Sequence, residues 1–89
     1  MKTISVKKVS NTEFDVTVES RSTTVHRVSV PELYYHQLTR GKVTYETLLE
    51  KSFEFLLERE PNTSILRSFE LSVIGRYFPE YEGIIKNRI

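Results

Sequence analysis

An α+β fold is what this 89-residue sequence predicts: a three-stranded antiparallel β-meander packed on a central amphipathic helix, with short flanking helices. Two periodicities carry that reading. Residues 1–30 alternate apolar and polar side chains with a period of two, and residues 44–60 repeat apolar side chains at helical spacing. A third observation bounds the whole. The length allows one core, which ten aromatic residues can fill although the chain has no cysteine.

The helix over 44–60, TYETLLEKSFEFLLERE, is the organising element. Tyr45, Leu48, Leu49, Ser52, Phe53 and Leu56 fall on one face, and Phe55 and Leu57 widen the apolar arc to roughly 200°, twice the usual stripe of about 100°. An arc that wide must be covered from more than one side. Glu46, Glu50, Glu54 and Glu58 form the one wet ridge, with Lys51 as the nearby counter-charge.

The strands follow from the alternation. Ile4 and Val6, Phe14, Val16 and Val18, and His26, Val28 and Val30 form three apolar faces, separated by polar turns at 10–12 and 21–23. A register that keeps one face apolar pairs Ile4 with Val18, Val6 with Val16, Val18 with His26, Val16 with Val28 and Phe14 with Val30. Val9 then falls on the wrong face and suits a bulge. Residues 31–78 read as helical and 79–89 as a tail. Pro31 opens a short helix with Leu33, Tyr34, Gln37 and Leu38 inward; Gly41 suits its C-terminus and Thr44 caps the next helix. A single helix is expected from about 62 to 78, with Ser68 and Glu70 as its weakest point, and Gly83 reads as a hinge in the tail.

Function is far less legible. Cysteine is absent, so thiolate metal sites and cysteine nucleophiles are excluded. His26 and His36 share no helical metal-ligand spacing, so a zinc site would need ligands gathered from unconnected elements. No serine lies in a nucleophile-elbow turn, and Gly41, Gly75 and Gly83 are isolated, so no phosphate loop exists. The expectation is therefore no enzyme, no cofactor and no metal. His26 reads as a strand histidine completing the apolar face, and the glutamate ridge as solvated helix surface. The N-terminal MKTISVKKVSNTEF has no apolar run of signal-peptide type, and no stretch reaches membrane-spanning length, so the expected setting is the cytoplasm, without a membrane partner.

Charge is unevenly spread: +3 over residues 1–43, −3 over 44–60 and +1 over 61–89, for a net +1. That distribution motivates a secondary reading, a small nucleic-acid-binding regulator using Lys7, Lys8, Arg21 and Arg27, with Lys2 beside them. Asp15 and Glu19 stand on the same wet face and would repel phosphates, and no aromatic is exposed there for stacking. The favoured reading is a protein-interaction module, with a protein partner or a second copy of itself. The wide apolar arc, the terminal isoleucines and the cluster Arg76, Tyr77, Phe78 and Tyr81 suggest it, since aromatics with arginine make interface hot spots. Tyr81, beyond Pro79, is expected to lie outside the core.

The segment from Ser52 onward, SFEFLLEREPNTSILRSFELSVIGRYFPEYE, resembles the C-terminal half of a group of small prokaryotic proteins of unknown function whose ends read much like L-S-V-I-x-R-Y-F-P-E-Y-E. The resemblance implies a stand-alone protein of about this size with a strand-rich front and a helical back. It implies no activity and no ligand.

Overall fold

The computed structural model describes residues 3–89. Strands β1 (Thr3–Lys8), β2 (Glu13–Glu19) and β3 (Thr23–Ser29) form the expected antiparallel meander. Helices α1 (Glu32–Thr39) and α2 (Tyr45–Leu57) follow, then a 3-10 turn (Asn62–Ser64), strand β4 (Ser68–Glu70), and helices α3 (Val73–Tyr77) and α4 (Tyr81–Arg88). β4 lies parallel to β3, so the sheet is four-stranded and mixed, in the order β1-β2-β3-β4. No helix among the described residues is long and apolar enough to cross a membrane.

The inner sheet face is the one the alternation marks. Phe14, Val16, Val18, His26, Val28 and Val30 are buried, and α2 lies against them with Leu48, Leu49, Ser52, Phe53, Phe55, Leu56 and Leu57 all buried. Thr44 caps α2 as expected, its Oγ1 accepting from the Thr47 N–H at 3.1 Å. The first hairpin has the expected register, Ile4 with Val18 and Val6 with Val16. The second is displaced by two residues: Val18 pairs with Thr24, Val16 with His26 and Phe14 with Val28. A shift of two leaves every side chain on its face, so the apolar pattern cannot detect it. The turn detects it, because Glu19 pairs with Thr23 around Ser20, Arg21 and Ser22. Val9 is 43% exposed where the Val9 and Ser10 N–H groups both donate to the Glu13 carbonyl.

Helix α1 is rotated from its expected setting. Tyr35, Leu38 and Thr39 face inward, whereas Leu33 is 74% exposed and Gln37 is on the outside. The Tyr35 ring stacks on Tyr45 at 3.9 Å between centroids and its hydroxyl donates to the Val43 carbonyl. That stack turns the helix by one residue, about 100°. The helix ends with Arg40 in the left-handed region at φ 54°, one residue earlier than expected, and Gly41 follows at φ 74°.

The largest departure is after Pro61. A helix from 62 to 78 does not form. β3 has β2 on one side only, and its other edge would leave buried backbone groups without partners. Residues 67–71 fill that edge: the Arg27 N–H donates to the Arg67 carbonyl at 2.8 Å and the Leu71 N–H to the Ser29 carbonyl at 2.9 Å. Phe69 and Leu71 point inward and Ser68 and Glu70 outward, a period-two pattern inside what also reads as a helical stripe.

The tail is also ordered. Gly83 is not a hinge but lies within α4, which buries Tyr81 and Ile85. Arg88 forks onto Glu58, with two contacts of 3.0 Å, and Arg59 reaches Glu58 and Glu80, each at 3.2 Å. The ridge thus has counter-charges from outside its own helix besides Lys51. A Cβ at Gly83 would meet nothing within 4 Å, so Gly83→Ala should stabilise the protein by about 0.5–1 kcal/mol through backbone entropy alone. Urea unfolding checks this, and a lower midpoint for the variant would contradict an α4 helix at residue 83.

Candidate interaction surface

A buried polar chain sets the position of the surface. The Leu66 carbonyl can only accept, so His26 Nδ1, 2.7 Å away, carries the proton. Neutral His26 then accepts at Nε2 from the Thr24 hydroxyl at 2.8 Å. Thr24 Oγ1 in turn accepts from Asn62 Nδ2 at 2.9 Å, whose second proton goes to the Ser22 carbonyl at 3.0 Å. Burial is the main influence on the His26 ring and holds its pKa below 6.5; the Arg67 charge acts in the same direction, and the Leu66 hydrogen bond opposes both. His26 is thus the apolar-face histidine expected, and it also pins the segment from Asn62 to Leu66 against β3.

Beside that pinned segment lies an apolar groove of about 220 Å³. Leu56 and Glu60 line it from the end of α2, Ser64, Ile65 and Leu66 from the loop before β4, Phe69 from β4, and Val73, Ile74, Tyr77 and Phe78 from α3 and its end. The volume is below the roughly 300–1,000 Å³ of pockets that enclose a small-molecule ligand. Two large apolar side chains stand exposed at it, Leu66 at 47% and Tyr77 at 67%. Leu66 is missing from the sequence-based site because a helical stripe would have buried it. Glu60 is half-buried in the groove and makes no ion pair among the described residues; exposed Arg67 and Arg76 make none either.

The predicted cluster divides. Arg76 and Tyr77 are exposed, and Phe78 is half-buried with its ring edge-on to Phe55 at 5.9 Å. Tyr81 is fully buried and belongs to the core, not to a surface. Ser52 gives its one proton to the Leu48 carbonyl at 2.8 Å, so the Tyr81 hydroxyl, 2.6 Å away, donates to Ser52. The wide α2 arc is likewise buried except at half-buried Tyr45, which stacks on Tyr35, and Ile85 is buried with Ile84 and Ile89 half-buried. Neither the arc nor the tail offers a free apolar face.

The basic residues do not gather. Lys7 and Arg27 flank Asp15 in one row of the outer sheet face, and Arg27 binds Asp15 at 2.5 Å. The Arg27 hydrogen bond, helped by the charges of Arg27 and Lys7, holds the Asp15 carboxyl below its usual range. Lys8 alternates to the opposite face, Arg21 sits at a hairpin tip, and Lys2 lies outside the described residues. Val25, 48% exposed, is the large apolar residue on the outer face, which offers no aromatic platform among the described residues. His36 is exposed and edge-on to Tyr35 at 5.0 Å. No group of three or more metal-ligating side chains converges among the described residues. Comparison of the chain with family models, with curated proteins and with solved structures returned no match.

Proposed function

We propose that this chain is a non-catalytic protein-interaction module of the cytoplasm that works through the groove between β4 and α3. The observation that carries the reading is the apolar groove with Leu66 and Tyr77 exposed beside it. A partly exposed aromatic next to arginine and an apolar hollow is the composition of an interface hot spot. The same exposure would be unfavourable on a surface that only meets water, so a partner supplies the missing burial. His26 supports the reading from below: its hydrogen bonds hold the Leu66 backbone in place without solvent access. A nucleic-acid role has less to rest on, because Arg27 is engaged by Asp15, Lys7 flanks that same carboxylate, and Lys8 and Arg21 lie off that face.

A photo-crosslinking residue placed at Tyr77 and, as a control, at Val25 tests this in the native cell. The expected result is a covalent adduct with protein from position 77 and none from position 25. No protein adduct at 77, or equal adducts at both positions, overturns it.

A further inference from the structure

Resting on that reading of the groove, we infer that its occupant is a second copy of this chain, docked about a two-fold axis beside β4. Two-fold contacts are made by one patch meeting itself, so the patch must hold both halves of every complement. This one does. It has the hollow and, at its lining, two exposed apolar side chains, Leu66 and Tyr77. It has a half-buried carboxylate, Glu60, and two exposed guanidiniums, Arg67 and Arg76, none of them ion-paired among the described residues. A partner of different chemistry would need only one member of each pair.

The sheet edge supplies the axis. Residues 67 and 71 bond to β3, so the ladder alternation directs the backbone groups of Ser68 and Glu70 away from it. The far edge, β1, carries Lys7 and Lys8, the usual guard against strand addition; β4 has neither lysine nor proline. Two β4 strands in antiparallel pairing place Phe69 opposite its copy and Ser68 opposite the second copy's Glu70. Like charges are then never directly opposed. The two sheets become one of eight strands, and the four backbone hydrogen bonds fix the register.

Sedimentation velocity over a dilution series of the full chain tests the inference. A reversible monomer–dimer equilibrium is expected, and Tyr77→Glu should raise the dimer dissociation constant about 30-fold or more, as loss of a central hot spot does. Tyr77 is exposed, so the variant keeps its fold, which circular dichroism checks. Glu60→Arg alone and the pair Arg67→Glu with Arg76→Glu should each weaken self-association, and mixing the two proteins should restore a mixed dimer. A chain that stays monomeric at the highest concentration reached, or a dimer untouched by Tyr77→Glu, overturns the inference. If position 77 still crosslinks a different protein, the interaction module stands and only the second copy falls. If it crosslinks nothing, both fall.

Discussion

Tyr81→Ala is expected to lower folding stability by about 3–5 kcal/mol, the range for removing a fully buried aromatic from a core. The Tyr81 ring is 0% exposed and meets Phe55 edge-on at 5.2 Å, and it is the first residue of α4. Truncating it opens a cavity under α2 and frees the terminal helix. Tyr81→Phe should cost only about 0.5–1.5 kcal/mol, because Ser52 keeps its own donation to Leu48 and loses one accepted bond. Burial pushes the Tyr81 pKa well above its ordinary value of 10, and the Glu82 charge adds to the shift. The unfolded chain therefore releases that proton first as pH rises. The stability Tyr81 contributes is complete below about pH 10 and is lost above it, so Tyr81→Phe should blunt the alkaline decline. Chemical unfolding at pH 7 and pH 11 measures both effects. An alanine variant as stable as the parent would mean that the last helix is not docked where the structure has it.

His26→Ala should destabilise the fold by about 3 kcal/mol or more, since it leaves a cavity and strips the Leu66 carbonyl of its donor. His26 also sets the mildly acidic limb. Its folded pKa lies below 6.5, so between the two values the unfolded state binds the extra proton. The stability is complete above pH 6.5 and declines as pH falls towards the folded pKa, by at most about 1.4 kcal/mol per pH unit. His26→Gln, which does not titrate, should flatten the decline in stability just below pH 6.5 and leave a steeper loss at lower pH. That lower limb belongs to carboxyls held down by arginine, Asp15 by Arg27 and Glu58 by Arg88. Denaturant midpoints at half-unit pH steps decide it, and an unchanged slope in the glutamine variant would show that His26 is not buried neutral.

Much of the architecture is legible in the sequence. Phe14, Val16 and Val18 announce a one-sided strand, and the α2 arc announces a hub, because burial of alternate or helically spaced apolar groups is a local rule acting on neighbours in the chain. The groove was half legible. Tyr77 beside Arg76 stands out by composition, whereas Leu66 does not, and Tyr81, expected outside the core, is buried in it. Nothing in the text of the chain separates an aromatic that fills a core from one that waits at a surface. The difference is whether a partner such as Ser52, 29 residues away, presents an acceptor inside.

By itself, then, the order of residues determined the first three strands, the central helix, the inward sheet face and the absence of thiol chemistry. The path after Pro61 was settled elsewhere. Residues 68–70 suit a helix or a strand about equally on local grounds, and the open edge of β3 chose strand, because an unpaired backbone beside a buried face is worse than a weak helix. The groove exists only as a consequence of that choice: it opens where β4, α3 and the end of α2 meet. Such a surface is a property of long-range packing, and no local pattern encodes it.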